Sequence, residues 1–291
     1  MPKLSVIIPS YNTKTVTKQC IESLLKTLQM EDLDFEIIVI DNASTDGTVK
    51  LLTSLRINEL RVIQNKKNLG FAKANNQGLE TAKGEYILFL NSDVIIKKLQ
   101  FKRLLNYLDS RPEVGVCTVR VDLTDGTVDP ASHRGFPTVW NSFCYFSKLE
   151  RLFGKLPMIG SIFGGYHLTS LDLRTIHEID SPSGAFYLSR KKALDKVRGF
   201  DEDFFMYGED IDLSYRIKKL GYKILYYPLF HVTHLKYVSG LGTADHRVRK
   251  QIQKHFYNAM KIFYKKHYEK TNSEFANKLI YSVIDLKARL S

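Results

Sequence analysis

The stretch Glu36-Ile37-Ile38-Val39-Ile40-Asp41-Asn42-Ala43-Ser44-Thr45-Asp46-Gly47-Thr48 carries the fold in miniature. Four consecutive branched apolar residues make a strand of the kind buried on both faces. The run stops on a carboxylate, turn chemistry follows, and Val49, Leu51, Leu52 and Leu55 then take up helical spacing. The same unit recurs on either side. Leu4-Ser5-Val6-Ile7-Ile8 ends at Pro9-Ser10 and leads to Ile21, Leu24, Leu25 and Leu28, spaced i, i+3, i+4, i+7. Arg61-Val62-Ile63 precedes a helix predicted from about Phe71 to Ala82, and Tyr86-Ile87-Leu88-Phe89-Leu90 ends in Asn91-Ser92-Asp93. Continuous apolar strands alternating with helices predict an α/β fold, with a mostly parallel central sheet and helices on both faces. Ligands bind such sheets beyond the carboxyl ends of the strands. Asn12, Asp41 and Asp93 cluster there.

The rest of the chain is less regular. From about Leu123 to Asp180, Trp140, Phe143, Tyr145, Phe146, Phe153, Ile159 and Phe163 stand among glycines and basic residues. This is too apolar for a linker and too broken for one helix. Extra helices packed on the core are expected, with a lid or acceptor surface as the alternative. Ser183–Leu188 reads as a strand, Gly199–Asp212 as an acidic-aromatic stretch, and Ile224-Leu225-Tyr226-Tyr227 as a late strand. From about His246 the chain reads as a basic helical extension. The expected division is a domain over 1–240 and a basic amphipathic helical tail over 241–291.

The 291 residues are 44% hydrophobic and 25% charged, enough apolar material for a real core. Cys20, Cys117 and Cys144 are too far apart for a metal clip or a redox pair, which fits a reducing compartment. No secretory signal is visible and no apolar run approaches the ~20 residues needed to span a bilayer. The expected location is cytoplasmic, with peripheral attachment to the inner face of the cytoplasmic membrane as a further possibility. Lys and Arg number 43 against 31 Asp and Glu, a formal charge of +12. Such a surplus attracts an anionic partner or is simply a solvated surface. In the tail, Lys250, Lys254, Lys261, Lys265 and Lys266 alternate with Ile252, Phe256, Met260 and Phe263. That pattern suits an anionic bilayer or a helix packed on the domain with lysines outward.

Several residues carry chemistry. Asn91, Ser92 and Asp93 present hard oxygen donors for Mg²⁺ or Mn²⁺ immediately after a strand, although Asn-Ser-Asp is also turn composition. Asp41 precedes the capping position of the next helix, so capping does not explain it. A carboxylate there accepts from the imide N–H of a uracil or thymine ring. Ser44 or Asp46 supplies the cap. Glu209, Asp210 and Asp212 are three acids in four positions at a helix start, more than a cap requires. One of them fits a general base, flanked by Phe204, Phe205 and Tyr207, and Arg216 lies within pairing reach on the same helix. His231 reads as structural. His234 is suited to completing a metal shell with Asp93. No Gly-x-Gly-x-x-Gly or Gly-Lys-Ser/Thr loop appears, which disfavours dehydrogenases and P-loop enzymes. A non-catalytic nucleic-acid-binding protein is also disfavoured, because acids at the strand ends repel phosphate.

Taken in order, these elements resemble glycosyltransferase family 2, which has the GT-A fold. Leu4–Asn12 looks like its opening strand, Glu36–Thr48 its second strand and acidic turn, and Asn68–Gly78 the following helix. Asn91-Ser92-Asp93 stands at its Asp-x-Asp motif, and Ser183-Gly184-Ala185 with Gly199–Asp210 completes the set. The resemblance covers roughly Leu4 to Gly240. It implies base and ribose contacts from Pro9, Tyr11, Asn12 and Asp41, with Asn68, Gly70, Asn75, Asn91 and Ser92 also on the donor side. It implies a metal on Asp93, joined by His234 (234 − 210 = 24 residues beyond the base), and catalysis by Asp210 with Glu209 beside it. Asn91 departs from the family's first Asp, so the first metal ligand is weakened or indirect. The chain looks most like the rhamnosyltransferase-type branch. That implies inverting transfer from dTDP-L-rhamnose to a glycan or lipid-linked acceptor. UDP-glucose, UDP-galactose or UDP-GlcNAc is the alternative donor, and a nucleotidyltransferase of related fold is the nearest rival enzyme.

Overall fold

The computed structural model describes residues 1–236 and 246–290, so the boundary expected at 240/241 lies outside the described residues. The strands are β1 (Leu4–Ser10), β2 (Phe35–Asp41), β3 (Leu60–Gln64), β4 (Tyr86–Leu90), β5 (Val94–Lys98), β6 (Val114–Leu123), β7 (His177–Glu178), β8 (Phe186–Arg190) and β9 (Lys223–His234). The helices are α1 (Lys14–Leu28), α2 (Thr48–Ser54), α3 (Phe71–Thr81), α4 (Phe101–Asp109), α5 (Val139–Phe146), α6 (Leu149–Phe153), α7 (Gly160–Phe163), α8 (Lys191–Val197), α9 (Glu209–Lys219), α10 (His246–His267) and α11 (Glu274–Leu290).

The strands form one sheet in the order β3-β2-β1-β4-β8-β6-β9-β5, with β7 beside β9. The parallel arrangement read from strand–helix alternation holds for β3-β2-β1-β4 and for β6 with β9. The whole sheet is mixed, because β8 runs antiparallel to both its neighbours. β5 starts only three residues after β4 ends, too few for a parallel crossover. It joins β9 antiparallel instead. A bulge makes this possible: the β6–β9 register jumps from Val119↔Tyr227 to Arg120↔His231, leaving residues 228–230 unpaired. Such a bulge bends the strands and re-aims their far halves.

Alternate side chains of the central strands feed the two faces. Val6, Ile37 and Leu88 pack with Leu24 of α1 and Leu104 of α4. Ile7, Ile38 and Phe89 pack with Ala74 of α3, Leu194 of α8 and Leu213 of α9. α3 lies so close to the sheet that a Cβ at Gly78 would come within 2.4 Å of Ile7 Cγ2. The 123–180 region contains the short helices α5, α6 and α7, in keeping with extra helices rather than a linker.

The first tail helix packs on the body. Ala259 and Phe263 of α10 are buried against Phe204 and Ile211, and Tyr257 and Tyr264 are buried too. Lys266 bridges Asp201 and Asp203, and His267 Nε2 meets Asp212 Oδ1 at 2.7 Å. Burying Phe263 alone is worth about 2–3 kcal/mol.

Candidate active site

A cleft of about 1310 Å³ opens beyond the carboxyl ends of the central strands. Pro9, Tyr11, Asn68, Gly70, Asn91, Ser92, Asp93, Glu209, Asp210 and His234 all line it. These ten, scattered over more than two hundred positions, are brought together by the sheet. Asn12, Asp41 and Asn75 do not line it. A smaller depression formed by Ala43, Ser44, Gln64, Asn65 and Lys66 opens next to Asp41.

Each side chain is placed by local chemistry. Asp41 is the last residue of β2, paired in register with Ser10 and Gln64. It is fully buried. Oδ2 accepts from Ser44 N at 2.9 Å, while Oδ1 has no partner among the described residues. A buried carboxylate oxygen without a donor calls for a ligand N–H. Asn12, in the left-handed region (φ 53°), donates from its backbone N to Ser44 Oγ and accepts from Thr45 N. That clasp ties the β1–α1 turn to the β2–α2 turn. Asp46 takes the capping work, accepting from Thr48 N and Lys14 N. Asn68 accepts from Gly70 N. Gly70 has φ 85°, and a Cβ there would come within 2.5 Å of Phe205 O. The donor-side loop and the Phe205 loop therefore meet at a position only glycine fits. Asn75 is fully buried on α3, donating to Phe71 O.

Asp93 begins the strand turn opposite His234, because Val94 and His234 are register partners. His234 Nε2 lies 3.3 Å from Asp93 Oδ1, and Nδ1 donates to Asp129 Oδ2 at 2.9 Å. Lys236 donates to Asp129 Oδ1 at 2.9 Å. Burial alone would lower the imidazole, but hydrogen bonds to Asp129 and Asp93 outweigh it and raise it to about 9. Burial likewise favours protonated Asp129, yet His234 and Lys236 hold its carboxyl far below the usual range.

Tyr207 (φ 68°) and Gly208 (φ 79°), which also line the cleft, are both left-handed and kick the chain into α9. Strain of this kind is held by surrounding packing and clusters at working sites. Asp210 Oδ2 accepts from Arg134 Nη2 at 2.7 Å, and its Oδ1 from Ile211 N. Glu209 Oε2 is buried with no partner among the described residues. Burial first, then the neighbouring Asp210 charge, push the Glu209 carboxyl up. Arg216 pairs with Asp212, not with either of these.

A family model for glycosyl transferase family 2 matches residues 5–173. The chain belongs to this family. Glycosyltransferase GlyG of Streptococcus pneumoniae is 33% identical over 37% of the chain and 36% of its own length. Rhamnosyltransferase WbbL of Escherichia coli is 28% identical over 74% of the chain and 78% of its own length. The matched stretch thus spans about a third of GlyG but most of WbbL. Among solved structures, S. aureus TarS 1–349 in complex with UDP-GlcNAc superposes with TM-score 0.57 at 21% identity, covering 97% of this chain and 71% of that one. GalNAc-T7 with UDP, GalNAc and Mn²⁺ gives 0.60 at 16%, covering 81% and 44%. At these identities the structural likeness establishes the fold.

Asp129, Arg134 and Lys236 escaped the sequence reading. Each sits in an irregular segment and gains meaning only from a partner about 75–105 residues away. No local motif announces them. Among the described residues no group of three or more His, Cys, Asp or Glu side chains gathers as a ready metal cage. The donors still fit Mg²⁺ or Mn²⁺ completed by substrate phosphates and water, since such ions need only one or two protein carboxylates. The amide Oδ1 of Asn91 is buried and unpartnered among the described residues. His234, with Nδ1–H given to Asp129, turns Nε2 toward Asp93 in the carboxylate–histidine arrangement that orients metal ligands.

Proposed function

We propose that this chain is an inverting, divalent-metal-dependent glycosyltransferase. Residues 1–240 would carry catalysis and 241–291 form the basic tail. The donor that the reading favours is dTDP-L-rhamnose, and the acceptor a hydroxyl of a polysaccharide or lipid-linked glycan. One observation carries the reading: a single cleft is lined by both an Asp93–His234–Asp129 cluster and an arginine-held Asp210.

The chain's own residues supply most of the chemistry. Asp41, with one bare oxygen, accepts from the base N–H of the donor nucleotide. Asp93 and His234 would hold Mg²⁺ or Mn²⁺, which neutralises a diphosphate and favours its departure. Lys236 adds positive charge beside Asp129. Asp210 takes the acceptor hydroxyl proton, and Arg134 fixes the direction of its carboxylate. Glu209 is the poorer base, because burial and the Asp210 charge favour its protonated form, which cannot take up a further proton. A single in-line displacement, with Asp210 as the one base and a diphosphate as the one leaving group, gives inversion.

The name of WbbL supports rhamnose. The UDP-GlcNAc complex of TarS supports a UDP-sugar as the second reading. Calorimetric titration of dTDP, UDP and GDP, with and without Mn²⁺, separates them. The expected result is metal-dependent binding of one nucleotide, lost in Asp41→Ala and Asp93→Ala. Asp210→Asn should bind that nucleotide normally and transfer nothing. Normal transfer by Asp210→Asn would overturn the mechanism. Peripheral membrane contact and a cytoplasmic site of action belong to the same proposal. Among the described residues no helix is long and apolar enough to cross a membrane.

A further inference from the structure

We propose that the cleft opens at its far end onto an anionic lipid bilayer, from which the enzyme takes a lipid-linked acceptor. The inference rests on the glycosyl-transfer reading and names the acceptor class for that same site. Away from Asp93 and Asp210 the cleft is lined mainly by apolar side chains, among them Phe143 and Phe146 from α5, Phe256 and Met260 from α10, and Val283 and Ile284 from α11, with Ser142, Gln251 and His255 between them. A glycan chain needs walls that return hydrogen bonds to its hydroxyls, and burying a hydroxyl against hydrocarbon is unfavourable. These walls suit hydrocarbon.

The rim says what covers it. Phe275, Leu279, Val283, Leu286 and Leu290 of α11 are each at least half exposed, from 50% to 80%. At 100° per residue they fall within an arc of about 80°, a single stripe. Ile280 and Ile284 turn the opposite way, and Ile284 is buried. The stripe is therefore not spare core. Exposed Lys278 and Arg289 border it on one side. Lys287 borders the other and reaches over the Phe146 ring at 5.7 Å, joining α11 to α5 across the cleft. The 139–163 segment, which reaches the cleft at Phe143, repeats the composition, with exposed Trp140, Leu152, Met158 and Ile162 among exposed Lys148, Arg151 and Lys155. An exposed apolar stripe of five residues on one helix face marks an interaction site. Apolar stripes fringed by lysine and arginine, in a chain of charge +12, match a leaflet of anionic lipid rather than a neutral partner. The rim is continuous with the catalytic cleft, so a lipid-anchored glycan can enter it without leaving the surface. The tail's membrane face is thus on α11, because α10 uses Phe263 and Tyr264 internally.

Trp140 is the sole tryptophan, 47% exposed on α5 between the cleft-lining Val139 and Phe143. The full chain is mixed with phosphatidylcholine vesicles carrying about 30% phosphatidylglycerol, some brominated along the acyl chains. The expected result is co-sedimentation, with Trp140 emission shifted to the blue and quenched by bromine. Phe275→Glu/Leu286→Glu, both exposed, should weaken partition at least ten-fold, and the nucleotide titration shows whether that variant is folded. Failure to sediment, unquenched Trp140, or equal partition by a folded variant would overturn docking. So would a dimer in buffer that the same variant dissociates, because the stripe would then cover a second copy. Docking lost with nucleotide binding intact refutes only this inference. Docking intact with no nucleotide bound refutes the glycosyl-transfer reading.

Discussion

Replacing Arg134 with methionine tests how Asp210, the proposed base, is held. Arg134 Nη2 gives one hydrogen bond to Asp210 Oδ2 at 2.7 Å and one to Pro182 O at 3.0 Å. Both charged side chains are about 10% exposed. With charge centres ~4 Å apart and an effective dielectric of ~20, their attraction is about 4 kcal/mol. Methionine fills much of the same space without charge, leaving a buried carboxylate unpaired. Breaking a buried pair from one side costs about 3–5 kcal/mol. Urea unfolding should therefore show Arg134→Met destabilised by about 3 kcal/mol, with Asp210→Asn also destabilised by its stranded guanidinium. The double variant Arg134→Met/Asp210→Asn should recover much of the loss, giving a coupling of about 2 kcal/mol or more in the cycle. Transfer should vanish in both single variants while nucleotide binding persists. Simple additivity, or an Arg134→Met enzyme that still transfers at the wild-type rate, would refute the reasoning.

Glu209 gives a pH prediction. Its folded carboxyl is pushed above the ordinary 4.5, so its contribution to stability is fully present below that value and lost as pH rises toward the folded one. Glu209→Gln should flatten the fall of Tm between about pH 5 and pH 8; a profile parallel to wild type would show that Glu209 is not held protonated. Gly70→Ala forces a left-handed alanine against Phe205 O, which should destabilise by about 2 kcal/mol or more and weaken nucleotide binding several-fold. Unchanged calorimetric affinity would remove Gly70 from the donor wall.

Strands β1, β2 and β4 were legible because each carries a largely apolar run buried on both faces, and the carboxyl end of β4 gave away Asp93. β5 and β6 were not read. Val94-Ile95-Ile96 passes for the end of a turn, and β6 mixes glycine, threonine and arginine into its apolar positions. The antiparallel β8 was seen as a strand, but direction is a property of its neighbours and not of Phe186–Arg190 itself. Glu209 and Asp210 were legible as a pair. Their unequal roles were not, because Arg134 separates them from 75 residues away. The lysine-rich pattern of α10 left bilayer and packing open, and only the contacts of Ala259 and Phe263 with Phe204 decide for packing there.

The bend shared by β6 and β9 has a bearing on which parts of the chain can change length. Leu123 and Val94 both stand opposite His234. The spacing between imidazole and carboxylates is thus set by counting residues along three strands, like the scale of a vernier. A slip of one residue would turn His234 to the other face of the sheet. Insertions within 114–123 or 223–234 should therefore erase the site even where the fold survives. The Thr124–Gly126 tip is different. It is anchored on both sides by Leu123 N to Thr127 O and Asp129 N to Val121 O, and a Cβ on Gly126 would meet nothing. New sequence can be spliced in there without changing the count, which makes that hairpin the natural place to graft an acceptor-reading loop.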